Sequence, residues 1–199
     1  MGVASAVVIS SREDVGVVIP ELRTQRLLLR AFMEVDRPAW ARIHADPAVM
    51  ATLGPLLDRV DADRVLEDHV ARWDRDGYGW WCVDLDGECI GAVGLTTQRW
   101  APPFTLGDDR FVDLGWRISS AHWGRGYAPE AAGAAIEFAF DGLRLSEIVA
   151  FTAETNTKSR RVMEKLDMVH DSEADFDHPN VAAGDPLRRH VLYRLARPV

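Results

Sequence analysis

The sequence has few cysteines, no excess of basic residues and no apolar run with the flanks of a membrane segment. Only 2 of its 199 residues are cysteine. Cys82 and Cys89 flank the turn dipeptide Asp86-Gly87, which would place them diagonally on neighbouring strands. We therefore expect no disulfide, and two cysteines without spaced His or Cys partners do not form a zinc pattern. The sequence predicts a reduced, cytoplasmic setting and no metal site.

Basic residues are outnumbered, because Lys and Arg total 23 against 31 Asp and Glu, for a formal net charge of -8. Contacts with nucleic-acid phosphates rest on clustered Lys and Arg, so no nucleic-acid partner is expected. The early run MGVASAVVIS has no basic region before it and no stop-transfer segment after it, so neither a signal peptide nor a membrane helix is predicted. We expect residues 1–17 to be a flexible extension and residues 18–199 to form one domain.

Periodicity and turn residues divide the chain into alternating strands and helices. The elements predicted before residue 98 are a strand at Pro20–Ala31, a short helical pair after Asp36, an amphipathic helix from Asp61 to Asp76, and a hairpin of Tyr78–Leu85 and Glu88–Thr97. Those predicted after residue 109 are a strand at Arg110–Ser119, an alanine-rich helix that ends near Gly142, a strand at Glu147–Ala153, a helix at Lys158–Leu166, and closing strands at Met168–Phe176 and Leu187–Leu195.

A glycine pair stands between the strand and the alanine-rich helix. Gly124 and Gly126 bracket Arg125 directly before that helix, a pattern that can turn backbone N–H groups and the helix N-terminus toward a phosphate. A P-loop is excluded because Tyr127-Ala128 follows the second glycine in place of Lys-Ser or Lys-Thr. A dinucleotide fingerprint is excluded because Pro129 stands where a third small residue is needed.

The stretch GWRISSAHWGRGYAPEA resembles the acetyl-CoA-binding motif of the GCN5-related N-acetyltransferase (GNAT) superfamily. Two other segments, NTKSRRVMEKLDM and RTQRLLLR, resemble the branch that contains the Rim-type ribosomal-protein N-terminal acetyltransferases, and the resemblance covers roughly residues 20–196. It implies an α+β fold with a mixed, mostly antiparallel sheet of about seven strands and helices on both faces. The sheet would splay after the strand ending near Ser119, and acetyl-pantetheine would enter the gap.

The resemblance also implies which residues bind acetyl-CoA. Backbone groups of Trp116 and Ile118 would contact the pantetheine arm. Asn156 would reach the pantetheine or the acetyl end, and Ser159 would lie near the thioester sulfur. The residues implied to wrap the pyrophosphate are Gly124, Arg125, Gly126, Tyr127 and Ala128.

Three positions depart from the motifs of the superfamily. Ala121 stands where a Gln or Arg often contacts the cofactor, so only the backbone contacts are expected there. Asp167 replaces a glycine, although aspartate tolerates left-handed geometry better than most residues. Met163 replaces the tyrosine that serves as general acid in many relatives, which excludes that route.

Acetyl transfer to an amine needs a neutral amine and a proton for the departing thiolate, and direct transfer in a ternary complex needs no enzyme nucleophile. Ser159 is our candidate acid, with the start of a helix as its alternative role. Asp113 resembles an acidic position two residues before a glycine in related chains, which makes it the candidate base, with an exposed acid on a strand as the alternative. Trp80, Trp81, Trp100 and Phe104 could line the amine pocket or belong to the core.

The resemblance therefore predicts an acetyl-CoA-dependent N-acetyltransferase. Its acceptor would be a primary amine, either a peptide or protein N-terminus or a small molecule. A non-catalytic acyl-CoA-binding or regulatory module of the same fold is the alternative, because the tyrosine is missing. A homodimer is a further possibility that the resemblance suggests.

Overall fold

A computed structural model describes residues 17–98, 100, 104 and 111–198. Its strands are β1 (Leu22–Arg23), β2 (Leu28–Arg30), β3 (Trp80–Leu85), β4 (Glu88–Thr97), β5 (Val112–Ile118), β6 (Glu147–Ala153), β7 (Val169–His170), β8 (Phe176–Asp177) and β9 (Arg189–Ala196). Its helices are α1 (Arg37–His44), α2 (Pro47–Met50), α3 (Arg59–Asp76), α4 (Tyr127–Glu137) and α5 (Thr157–Lys165). Among these described residues, none of the helices combines the length and apolarity that a membrane crossing requires.

The strands form one mixed sheet in the order β1-β2-β3-β4-β5-β6-β9-β7, with β8 also paired to β9. Every pair is antiparallel except β5 with β6. The α+β fold with a mixed, mostly antiparallel sheet is thus confirmed, although the sheet has nine strands where about seven were predicted.

The extra strands arise where two predicted strands are interrupted. The strand predicted at Pro20–Ala31 is split by a turn in which the Thr24 N–H donates to the Leu27 carbonyl at 3.0 Å. The prediction of one strand at Met168–Phe176 is wrong, because a 3-10 turn at Ser172–Ala174 separates β7 from β8. Between β7 and β8, the Leu192 N–H of β9 donates to the Asp175 carboxylate at 3.0 Å. A side-chain oxygen thus takes the place of the backbone carbonyl that a continuous strand would have supplied.

The β3–β4 hairpin is confirmed. Asp86 and Gly87 have φ values of 53° and 88°, the left-handed geometry of a two-residue turn that Asp-Gly favours. Opposite Cys82 lies Ala92, and opposite Cys89 lies Asp84, so the two cysteines are diagonal neighbours. Both are buried free thiols.

Helix α4 packs closely against one face of the sheet. The side chains of Ala131, Ala132 and Ala135 are fully buried there in one cluster with residues of β4 and β5, as is Ala139 just beyond the end of α4. Small side chains let the helix backbone approach the strands, which fixes the helix N-terminus beside the end of β5. The helix ends near Gly142 as predicted, because Phe138–Gly142 continues α4 as a π-helical turn whose C-cap is Leu143.

Helices α1 and α3 cover the opposite face. Trp40 of α1 and Leu66 of α3 are fully buried there. A buried ion network joins this layer to the sheet, since the Arg30 guanidinium donates to Asp36 Oδ2 at 2.7 Å and to Asp84 Oδ2 at 2.8 Å. Asp36 also lies beside Cys82 and Cys89, a grouping with ligand atoms within 4.8 Å of one another. Both carboxylate oxygens of Asp36 accept hydrogen bonds from the Arg30 guanidinium, so in the structure Asp36 is the ion-pair partner of that arginine.

Candidate functional site

The sheet opens between its two parallel strands. Within the described residues, β5 and β6 are paired at a single position, Asp113 with Val149. Beyond it β5 remains paired to β4 as far as Ile118, and β6 remains paired to β9. The gap implied by the resemblance is therefore present, and it begins inside β5, well before Ser119. Backbone groups on the inner edge of β5 are left free to contact a ligand.

A cavity of about 520 Å³ lies at the open end of this gap. Its walls come from α2 and the residues after it, the C-terminal end of β5, the start of α4, and α5. Most of the predicted acetyl-CoA-binding residues line it: Trp116, Ile118, Gly124, Gly126, Tyr127, Ala128, Asn156 and Ser159. Arg125 and Asp113 do not.

The glycine pair has the geometry predicted for a phosphate-binding turn. Gly124 and Gly126 have φ values of 75° and 82°, and Gly126 is the N-cap of α4. This left-handed geometry strains other residues, and the first N–H groups of a helix have no partner within it. Because Tyr127 and Ala128 supply the first of those N–H groups and line the cavity, an anion can bind there.

The start of α4 is held by the segment that contains β1 and β2. Glu130, in the first turn of α4, accepts from the Thr24 hydroxyl at 2.6 Å and from the Arg26 Nε at 2.7 Å. Arg26 Nη1 also donates to the Arg125 carbonyl at 2.9 Å. The RTQRLLLR segment thus holds the glycine turn and the first turn of α4 in position through these contacts. Arg125 contributes a backbone contact to this support.

Asn156 and Ser159 have different roles at the start of α5. The Asn156 side chain caps the helix, because its Oδ1 accepts from the Ser159 N–H at 3.2 Å, while its Nδ2 donates to Thr152 Oγ1 at 2.9 Å. The alternative reading of Ser159 as the residue that starts the helix is therefore wrong. Its hydroxyl lines the cavity and makes no hydrogen bond to another described residue.

Three basic side chains of α5 line the cavity and were missed by sequence reasoning. They are Lys158, Arg161 and Lys165, at i, i+3 and i+7 on one helical face. Lys158 Nζ lies 3.9 Å from the centre of the Trp123 ring. Their spacing within NTKSRRVMEKL was the signal that could have revealed them. The adjacent Arg160 points elsewhere, toward the Tyr193 hydroxyl at 3.5 Å.

Asp113 is buried, so the alternative of an exposed acid is wrong. It is 7% exposed and accepts from Gln98 Nε2 at 2.7 Å. Burial raises its pKa to about 7, while the hydrogen bond from Gln98 and the charge of Arg72 oppose that rise. A carboxyl group that titrates near neutral pH can take or release a proton under ordinary conditions.

None of the four aromatic candidates is among the residues that line the cavity. Trp81 is fully buried and donates from Nε1 to the Pro20 carbonyl at 2.8 Å. Trp100 and Phe104 pack with other aromatic rings, among them Phe176. The Trp80 ring lies against Gly94 of β4 and Gly115 of β5, and its Nε1 donates to Thr96 Oγ1 of β4 at 2.9 Å.

Comparison with known proteins identifies the family. The family described as acetyltransferase (GNAT) domain matches residues 26–169. The chain belongs to this acetyltransferase family. It is an acetyl-CoA-dependent N-acetyltransferase, and the cavity with its glycine turn and basic helix face fits an acyl donor that carries phosphates.

Two relatives resemble this acetyltransferase over nearly its whole length. An FsC-acetyl coenzyme A-N(2)-transacetylase of Aspergillus fumigatus is 30% identical, covering 90% of this chain and 80% of the relative. The crystal structure of an acetyltransferase from Agrobacterium tumefaciens has a TM-score of 0.71 and 33% identity, covering 94% of this chain and 100% of the other.

The similarity to Rim-type enzymes is confirmed at the level of the fold. RimJ of Mycobacterium smegmatis, solved with a CoA disulfide, has a TM-score of 0.68 and covers 89% of this chain and 86% of its own. At 19% identity that similarity shows the shared architecture alone.

Proposed function

We propose that this acetyltransferase passes the acetyl group directly to a primary amine in a ternary complex, the acceptor being a small molecule or a peptide N-terminus. The observation that carries the proposal is the gap between β5 and β6, which opens into a cavity ending at the glycine turn. Neither cysteine lines that cavity, so no thiol is placed to accept the acetyl group first. A homodimer and a cytoplasmic location stay predictions.

Two sets of groups would hold the donor. The glycine turn and the first N–H groups of α4 would bind the pyrophosphate, and the α5 cations would bind the remaining phosphate charge. Acetyl-CoA supplies the acetyl thioester, and backbone groups of Trp116 and Ile118 would hold the uncharged arm that leads to it. Free N–H groups near Ile118 would polarise the acetyl carbonyl.

Two side chains would move protons. Asp113, at the closed end of the gap and outside the cavity wall, would receive the proton of the acceptor ammonium through water. The Ser159 hydroxyl, which lines the cavity, would donate a proton to the departing thiolate. A structurally similar RimL is described as a ribosomal L7/L12 alpha-N-protein acetyltransferase, which supports a peptide N-terminus as one acceptor class to compare with small-molecule amines.

The direct experiment measures CoA release from acetyl-CoA with a panel of peptides and small amines, alongside thermal unfolding with and without acetyl-CoA. Stabilisation by acetyl-CoA together with amine-dependent release of CoA is expected. Stabilisation without release by any amine would favour a non-catalytic acyl-CoA-binding module.

Replacing Ser159 with alanine is expected to lower kcat by about 100-fold, the low end of the roughly 10²-fold to 10⁴-fold that a positioned proton donor contributes. The KM for acetyl-CoA should change little, because Asn156 still caps α5. Thr157→Val is the matched control, a hydroxyl removed from a neighbouring residue of the same wall. Equal kcat values for Ser159→Ala and the wild type would remove Ser159 from the mechanism.

Replacing Arg161 with glutamine is expected to raise the KM for acetyl-CoA by about fivefold to tenfold, because one charge-assisted phosphate contact contributes roughly 1 to 1.5 kcal/mol. The increase should shrink at high salt, which screens the contact. Arg160→Gln is the matched control, since Arg160 is adjacent on α5 but outside the cavity wall. If both variants raise the KM equally, the effect comes from the net charge of the helix and not from the contact.

A further inference from the structure

A row of residues on β5 lies beneath α1 and α3. Asp113, Gly115 and Arg117 alternate along the strand, so they share one face of the sheet. The Trp80 ring covers the middle position, because a Cβ added to Gly115 would come within 2.8 Å of that ring. The His69 ring of α3 stacks on Trp80 with 4.4 Å between centroids and 3° between planes. An acidic and a basic side chain therefore flank an aromatic stack.

Several polar nitrogens near this stack have no partner among the residues that the structure describes. Both ring nitrogens of His69, Nη1 of Arg72 and Nε of Arg117 are buried without a hydrogen bond to any of those residues. A buried polar group left unpaired costs about 1 to 3 kcal/mol, so native proteins contain few of them. Their concentration around one ring indicates that a polar partner binds here.

The missing partner is an anion. Arg72 is paired with Asp68 at 2.7 Å, but in the described part of the chain the Arg117 side chain contacts only the His44 ring and the face of Trp40. Burial lowers the pKa of Arg117 to about 10, so it remains a cation at neutral pH. Burial, followed by the charges of Arg117 and Arg72, lowers the pKa of His69, which leaves that ring neutral and able to donate one N–H.

Arg117 connects this group to the cavity. It lines the cavity between Trp116 and Ile118, the residues proposed to contact the pantetheine arm. That arm carries no charge, and the phosphates of the donor are assigned to the glycine turn and α5. Acetyl-CoA therefore does not neutralise Arg117, and the anion must arrive with the second substrate.

We propose that the acceptor carries a carboxylate close to its primary amine, and that Arg117 binds this carboxylate with Arg72 and His69 behind it. This inference rests on the proposed function. Ile118, whose free N–H is proposed to polarise the acetyl carbonyl, directly follows Arg117 on β5, and both residues line the cavity. A carboxylate bound by Arg117 therefore lies close to an amine that attacks this carbonyl, and the proton of that amine would reach Asp113, about 13 Å away along the strand, through water. The carboxylate belongs either to a free amino acid or to an acidic residue at a peptide N-terminus.

The wild-type test compares kcat/KM within matched pairs of acceptors. Alanine is compared with alaninamide, and a tripeptide beginning with Asp is compared with the same tripeptide beginning with Asn. We expect the carboxylate member of one pair to be preferred by about tenfold or more, since a hydrogen bond to a charged group contributes roughly 1.5 to 3 kcal/mol. The preferred pair identifies the source of the carboxylate. Turnover of both pairs with no preference overturns the inference and leaves the proposed function standing.

Variants then assign the preference to Arg117. Arg117→Gln should bring the ratio close to one while alaninamide or the Asn tripeptide is still acetylated, which shows that the fold is intact. Arg117→Lys, which keeps the charge, should retain part of the preference. Arg161→Gln removes a cation from another wall of the same cavity and should leave the ratio unchanged. A wild-type ratio in Arg117→Gln overturns the assignment.

Binding separates this inference from a failure of catalysis. With CoA present, N-acetylalanine should raise the unfolding temperature more than N-acetylalaninamide does. This difference should vanish in Arg117→Gln. The Asp and Asn tripeptides are compared in the same way, each in its N-acetylated form. If no amine releases CoA but this difference is seen, the proposed transfer fails and the carboxylate site stands. If neither member of any pair stabilises the protein more than the other, the carboxylate site is overturned whatever the turnover shows.

Discussion

Replacing Gly124 with tryptophan is expected to lower kcat/KM for acetyl-CoA by about 100-fold or more. Gly124 lines the cavity, and no atom lies within 4 Å of the position that its Cβ would take, so the indole would occupy the space proposed for the pyrophosphate. Losing two charge-assisted hydrogen bonds of about 1.5 kcal/mol each accounts for that factor. Steady-state kinetics at varied acetyl-CoA and calorimetric binding of CoA measure it.

Gly77 provides an unusually close control for the strain of this substitution. Its φ is 76° against 75° for Gly124, and its Cβ position is equally open, but it ends α3 outside the cavity wall. Because a side chain in left-handed geometry costs about 1 to 2 kcal/mol, both tryptophan variants should lose similar stability. Only Gly124→Trp should weaken acetyl-CoA binding. Equal binding of CoA by the two variants would show that this turn does not hold the phosphates.

The parts of the fold that the sequence predicted depend on local geometry. The Asp86-Gly87 turn and the apolar spacing of α3 depend only on residues close by in the sequence, so the hairpin and the helix could be predicted from the sequence alone. The glycine pair was equally readable, since Gly126 needs its left-handed geometry whatever surrounds it. The division of Met168–Phe176 could not be read, because it depends on the Asp175 carboxylate reaching Leu192 on another strand.

The candidate site was predictable where it follows a motif and not where it depends on packing. Eight residues implied by the resemblance do line one cavity. The burial of Asp113 could not be predicted from its position in a strand, because Gln98 and α3 cover it from outside its own segment. Arg117 was missed for the same reason, since its unpaired Nε is meaningful only once α1 and α3 are in place.

Replacing Asp113 with asparagine is expected to lower kcat/KM for the amine by about 100-fold or more, the usual contribution of a general base. In the wild type, kcat/KM should rise with pH through about 7, where Asp113 loses its proton. The hydrogen bond from Gln98 and the charge of Arg72 are the two neighbouring effects that lower the pKa of Asp113. This inflection should be absent in the variant. The pH profile of each enzyme, measured with one amine, tests the assignment.

The same substitution should make the protein more stable at alkaline pH, which separates the role of Asp113 in catalysis from its role in folding. Burial raises the pKa of Asp113 from 3.8 to about 7, so the folded state binds the proton more tightly than the unfolded state. Between these two values the free energy of unfolding falls as pH rises, by up to about 4 kcal/mol in total, because each pH unit contributes about 1.4 kcal/mol.

The amide introduced by Asp113→Asn carries no charge and can still bond to Gln98, so the variant should not lose stability over this pH range. Chemical unfolding at about pH 4 and about pH 8 measures the difference, with Asp84→Asn as a buried carboxylate that is instead paired with Arg30. A variant that is stabilised at alkaline pH yet as active as the wild type would show that Asp113 is a buried acid without a part in proton transfer. We expect a variant that is both more stable and nearly inactive. Burial of the Asp113 carboxylate lowers the free energy of unfolding at alkaline pH, and the same carboxylate is needed as a base, which is a trade-off between stability and activity.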